Sequence, residues 1–199
     1  MTGVLRRLPG ILIYADPEHG TYDEYKVLVR QLGISMPPAV TIVRNPWEWY
    51  VERWCRVRGH PMTCFFGSFS EYLEEVRRGE RFPDFRTQTW CLMEWLGAND
   101  ADDVIRFENL FDEIVRIVLK YARDNVMAVY DACGQGPVER MTAEEIVRYF
   151  ISQEWHYRPA LTPEGEPPGD YKRYYTEENR RWVEEWDEII IKGFGYTFD

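Results

Sequence analysis

The apolar positions of the chain change spacing as they go, and the changes predict strands alternating with helices. Gly10–Ala15 (GILIYA) is a short apolar run that predicts a strand. Thr21, with Glu24 three residues on, then forms a capping box. Tyr25, Leu28, Val29 and Leu32 follow at helical spacing, and Gly33 supplies the stop. Ala39–Val43 (AVTIV) is a continuous apolar run of the kind buried on both faces of a parallel sheet. Arg44-Asn45-Pro46 comes next; Asn45 suits the N-cap and Pro46 the first helical position. The helix it opens puts Trp47, Tyr50, Val51 and Trp54 on one face and leaves Trp49 off it.

Ser68 and Glu71 make a second capping box, for a helix ending near Gly79, and Thr87–Leu96 reads as a third, aromatic-rich helix. Asp103–Phe107 predicts a short strand, and Leu110, Ile114, Ile117, Val118 and Tyr121 the apolar stripe of the helix after it. Cys133–Val138 is a loop, and Thr142 with Glu145 caps another helix. Pro159–Asp170, with four prolines and two glycines, is a linker or surface loop. Thr176 opens the last helix, with Glu177 and Glu178 at its positive end. Its apolar face is Trp182, Val183, Trp186, Ile189 and Ile190, and Gly193 terminates it. The alternation predicts an α/β fold: one domain over residues 1–199, a small and mostly parallel sheet, helices dominant.

Composition narrows the function classes. Hydrophobic residues are 45% of the 199, enough for a buried core, so a disordered chain is excluded. No apolar run approaches the ~20 residues that span a bilayer. Met1–Gly10 has Arg6 and Arg7 but no apolar core or small-residue cleavage site, which argues against a secretory signal. The formal net charge of −10 speaks against holding a nucleic-acid backbone or an anionic membrane by bulk charge. Four cysteines (Cys55, Cys64, Cys91, Cys133) form no CxxC pair, and the histidines lie far apart in sequence, so no metal is expected. Cys55 and Cys91 fall inside apolar helical patterns, as buried free thiols of a reducing, cytoplasmic compartment would.

The junction Thr41–Trp47 carries the strongest chemistry. A buried strand delivers the chain to a helix start with unpaired N–H groups and a positive dipole end, and Arg44 adds a bidentate fork for an oxyanion. Arg44 and Asn45 are therefore the candidate binding residues. The plain alternative is that Asn-Pro merely starts a helix and Arg44 pairs with a nearby carboxylate.

Thr41–Trp54 (TIVRNPWEWYVERW) resembles the strand-turn-helix of the sulfotransferase family that holds the 3′-phosphate of the sulfate donor 3′-phosphoadenosine-5′-phosphosulfate, PAPS. Val104–Leu110 (VIRFENL) is similar to that family's strand ending in Arg-Phe/Tyr-Glu-Asn/Asp-Leu, and Tyr171–Phe198 to its terminal helix with Tyr-Tyr-Thr before it and Gly-Tyr-x-Phe after it. Thr87–Trp90 matches a Gln-containing stretch between the first two. The resemblance runs from Val40 to Phe198. It implies a P-loop-like sulfotransferase fold, a PAPS cofactor without metal, and sulfuryl transfer to a hydroxyl or amine.

The departures weigh against catalysis. The family's 5′-phosphosulfate loop, of the form Pro-Lys-x-Gly-Thr, follows a strand and neutralises the transferring group with its lysine. Either Ile11–Thr21 is a worn version of that strand and loop, with Glu18 in place of the lysine, or His19–Tyr25 matches a later His-x-Thr stretch and the loop is missing; the spacing to Arg44 favours the second. An acid at the lysine's place would repel the donor by roughly 1–4 kcal/mol at ~4 Å. Eight residues past the arginine, where the family has a serine, stands Glu52, whose plain reading is a solvated pair with Arg56. The family's Asn-x-Ser before the last helix is also missing; Lys172 and Arg173 are the basic residues there.

No general base stands out. His19, His60 and His156 are isolated in sequence, and Glu108 beside Arg106 reads as an ion pair fixing a turn. The eight tryptophans read as core, with Trp49 the one to check for exposure. Two function classes stay open: a sulfotransferase holding its nucleotide donor at Arg44 and Asn45, or a non-catalytic member of the fold that binds a protein partner or serves as a structural module.

Overall fold

The computed structural model describes residues 12–13, 22–33, 35, 38–58, 67–79, 86–95, 101–124, 141–154 and 169–199. The chain divides into two compact units, each discontinuous in sequence: Met1–Val43 with Met93–Tyr157, and Arg44–Leu92 with Arg158–Asp199.

The first unit is α/β. Among the described residues its sheet has three parallel strands in the order β1 (Leu12–Ile13), β2 (Ala39–Val43), β3 (Asp103–Arg106), so β2 lies between the other two. Leu12 pairs with Ala39, and Val40 with Asp103, which sets the register. The central place explains the unbroken apolar run: Ala39, Val40, Thr41 and Val43 are all buried. Asp102 ties down the start of β2; its backbone N–H donates to the Ala39 carbonyl and its carboxylate accepts from the Ala39 N–H, both at 2.8 Å. Helix α1 (Tyr22–Gln31) precedes β2, and Gly33 takes the left-handed φ of 64° that stops it. The strand expected over Asp103–Phe107 ends at Arg106, because Phe107–Asn109 turns into a 3₁₀ segment leading into α5. Helices α5 (Leu110–Tyr121) and α6 (Ala143–Glu154) pack on the sheet and each other through Val40, Ile105, Ile114, Ile117, Val118, Ile146 and Val147. The Thr142–Glu145 capping box is present in both directions.

The second unit is helical, with an aromatic core. It holds α2 (Pro46–Arg58), α3 (Phe69–Arg78), the short α4 (Gln88–Trp90), α7 (Glu177–Trp186) and α8 (Glu188–Phe194). Helix α3 has the predicted Ser68–Glu71 box, and Gly79 closes it at φ 63°. Trp47, Tyr50, Val51, Trp54 and Val183 are buried as the helical spacing predicted, with Phe69 and Tyr72 beside them; Ile189, predicted for the same face as Val183, is exposed instead. The rings meet edge to face, Trp47 on Phe198 at 5.5 Å and Phe69 on Tyr175 at 4.8 Å, the geometry ring quadrupoles favour. Cys55 and Cys91 are buried, as expected; Cys64 and Cys133 lie outside the described residues.

Two predicted helices are built differently. Thr87–Leu96 begins as α4, capped by Thr87, but Cys91–Trp95 widens into a π-helical turn. The last helix breaks at Asp187 and runs on to Gly195, which takes φ 65°; Gly193 lies inside α8 and does not end it. Asp187, at the break with φ −114° and ψ 25°, is fully buried, and its carboxylate accepts from the Thr89 amide. The rest of the predicted Gly10–Ala15 strand, Thr21, and most of the two predicted loops at 133–138 and 159–170 lie outside the described residues. No described helix is long and apolar enough to cross a membrane.

In the first unit Asp103 binds Arg116 (3.0 Å), Lys120 (2.6 Å) and Tyr121. Burial would raise its carboxyl, but the hydrogen bonds from Lys120, Tyr121 and Arg116 outweigh it and bring it down to about 2. A depressed carboxyl stabilises the fold above its unfolded value, and that contribution fades as pH falls towards 2. With the two cations half-exposed, we expect Asp103→Asn to cost about 1–2 kcal/mol at pH 7 and almost nothing at pH 2, in urea unfolding followed at several pH values. A cost that does not change with pH would assign the role of Asp103 to packing.

Candidate functional site

The site lies in the second unit, where the chain leaves β2. The first turn of α2 contains Pro46, which has no N–H to offer, and Asn45 caps the next two donors. Its Oδ1 accepts from Trp47 N at 3.1 Å and Glu48 N at 3.4 Å. The sequence predicted this cap, and the cap engages the amides that an anion at the helix tip would otherwise meet.

Arg44 stands just before that cap, its side chain 19% exposed. A guanidinium so far out of water needs acceptors. Glu48, one turn on, takes Nε at 3.4 Å and Nη2 at 3.3 Å on a single oxygen. Glu52, a further turn on, takes Nη1. Glu52 is itself buried, 7% exposed, and its other oxygen accepts Arg56 Nη2 at 2.6 Å and Nε at 3.1 Å. The four charges run Arg44, Glu48, Glu52, Arg56 and sum to zero. Sequence reading found the Glu52–Arg56 pair but placed it in solvent. Glu52 in fact lies buried between two arginines. The missed partner, Glu48, had a signal: positions 44, 48, 52 and 56 repeat every four residues, one stripe along a helix.

The backbone of Arg44 is held from α4. Gln88, buried, donates its Nε2 to the Arg44 carbonyl at 3.2 Å. The Gln88 N–H in turn meets the Tyr50 hydroxyl at 3.3 Å, and the Thr89 N–H meets Asp187 Oδ1 at 2.6 Å. With Thr87 Oγ1 accepting from Trp90 N at 3.1 Å, the opening amides of α4 are satisfied by side chains, two of them from distant segments. Burial pushes the Asp187 carboxyl above the usual carboxylate range, against the pull of the Thr89 amide and hydroxyl and the Tyr50 hydroxyl. Desolvation likewise holds the Tyr50 phenol well above its ordinary value, with Asp187 adding to the shift.

The C-terminal segment closes on the first turn of α2. Tyr175 donates to the Trp47 carbonyl at 2.9 Å, and Tyr171, whose hydroxyl donates to Phe198 O at 3.2 Å, also interacts with Asn45. Lys172 and Arg173 are in the 3₁₀ turn Tyr171–Tyr174; Arg173 reaches the Tyr174 hydroxyl at 2.6 Å. Trp49 is partly buried against the core, with the Arg53 guanidinium 4.9 Å over its ring.

Glu108 is in the 3₁₀ segment of the first unit, and His19, His60, His156 and the span Asp16–Thr21 lie outside the described residues. Among the described residues no three His, Cys, Asp or Glu side chains converge as metal ligands would.

The Asp187 tie makes a direct prediction. A carboxyl raised by burial favours the fold most at low pH and loses that benefit as pH rises through its folded value. Asp187→Asn keeps an acceptor for the Thr89 amide without the buried charge, so it should match or exceed the parent in thermal stability at pH 7 and gain on it as pH rises. Asp187→Ala strands the amide and should cost about 1–3 kcal/mol. If Asn proves as damaging as Ala, the charge and not the acceptor holds the tie.

No family model matches the chain, and comparison with curated proteins and with solved structures gives no match.

Proposed function

We propose that the chain is a sulfotransferase-type protein of P-loop-like α/β architecture. In this reading Arg44 and the Asn45-capped start of α2 receive the 3′-phosphate of PAPS. The sulfuryl group passes to a hydroxyl or amine acceptor, which gives up its proton, and 3′,5′-adenosine bisphosphate leaves.

One observation carries the reading. A buried central parallel strand runs straight into an arginine and an Asn-Pro helix start, and the neighbouring strand ends at Arg106, the first residue of the Arg-Phe-Glu-Asn-Leu stretch, paired with Val43. Ligands of open parallel sheets bind at the carboxyl ends of such strands. The Gln88 bond to the Arg44 carbonyl supports it too, since it fixes the backbone of the proposed phosphate-binding residue.

A second reading has its own observation. The Arg44 fork already holds two carboxylates, which favours a non-catalytic member of the fold acting as a protein-binding or structural module.

Calorimetric titration with 3′,5′-adenosine bisphosphate separates the two. The enzyme reading expects a Kd in the micromolar range, weakened at least tenfold in Arg44→Ala, a loss of about 1.4 kcal/mol or more. No heat and no thermal shift at millimolar nucleotide would leave the module reading standing.

A further inference from the structure

Glu52 is a buried acid with two arginine partners that differ in exposure. On one side is Arg44, its side chain 19% exposed; on the other is Arg56, its side chain 59% exposed. Each carboxylate oxygen has its own partner, so a turn of the Glu52 side chain can break one pair and keep the other. Arg44 would then still hold Glu48, and Glu52 would still hold Arg56. No charge is stranded in either arrangement, which is the requirement for a two-state element.

We propose that Glu52 is an internal gate on the anion site. Its carboxylate sits on Arg44 in the place of an oxyanion, and a phosphate-bearing ligand binds only by displacing it towards Arg56. The inference rests on the reading of Arg44 as a phosphate site and adds a regulator to it.

The chemistry sets the direction of the effect. With Glu52 on Arg44 the four charges of the stripe sum to zero. With Glu52 replaced by a neutral residue the stripe carries one net positive charge, and Arg44 loses one of its carboxylate partners. The ligand's apparent affinity is reduced by the fraction of molecules in which the gate is shut.

The test uses two probes, 3′,5′-adenosine bisphosphate and inorganic pyrophosphate, on the parent chain, Glu52→Ser, Glu52→Gln and the double variant Arg44→Ala/Glu52→Ser. Circular dichroism confirms that each is folded, and Glu52→Gln preserves the side-chain volume should Glu52→Ser unfold. The gate predicts that neutralising Glu52 tightens binding of at least one probe tenfold or more, and that the gain vanishes in the double variant. Unchanged affinity, or a gain that survives loss of Arg44, overturns it. Nucleotide binding that depends on Arg44 but ignores Glu52 keeps the donor reading and removes the gate. A gain seen with pyrophosphate alone keeps the gate and removes the nucleotide reading.

Discussion

A guanidinium placed mostly out of water at the start of a helix has to be neutralised, and the second unit is organised around that need. Arg44 follows the central strand of the sheet, where the chain passes from extended to helical backbone. The positive end of the helix dipole adds to its charge. Two carboxylates from successive turns of α2 answer it, and Arg56 answers the second of them. The same four residues define what the site can do. On the proposed reading, an anion coming to Arg44 competes with groups already in the chain, and its binding depends on how readily Glu52 moves.

The backbone around Arg44 is held on several sides. Gln88 holds the carbonyl, Asn45 caps the helix, and Tyr175 bonds the Trp47 carbonyl one turn in. Beside them Asp187, a buried acid at the break in the C-terminal helix, accepts from the Thr89 amide in the first turn of α4. Edge-to-face aromatic packing fills the space between them. Rotating one carboxylate is a small change in such a frame, because packed aromatic cores deform little.

Much of the fold was legible in the sequence where local chemistry decides it. Ala39–Val43 and Pro46–Arg58 fall where the apolar run and the Asn-Pro start put them. The boxes at Ser68 and Thr142 form as spaced, since a cap needs only residues within one turn. Asp187 read as part of a continuous helix, and nothing nearby reveals that its carboxylate serves Thr89, 98 positions away. The π-helical turn after Trp90 leaves no mark in the apolar spacing. Helix α8 runs through Gly193 because a second glycine, Gly195, takes the left-handed φ that ends it. At the site, the Asn45 cap and the pairing of Arg44 with a nearby carboxylate were legible from the junction alone. The depth of Glu52 was not, because an i,i+4 ion pair looks the same in sequence whether it is solvated or buried.

The central claim is that Arg44 and Glu52 bind each other in the folded protein. A double-mutant cycle on stability, using Arg44→Ala, Glu52→Ala and both together in urea unfolding, measures this without any ligand. The account predicts a favourable coupling of about 1 kcal/mol or more, given how little of either side chain reaches water. Strictly additive single and double losses would contradict it.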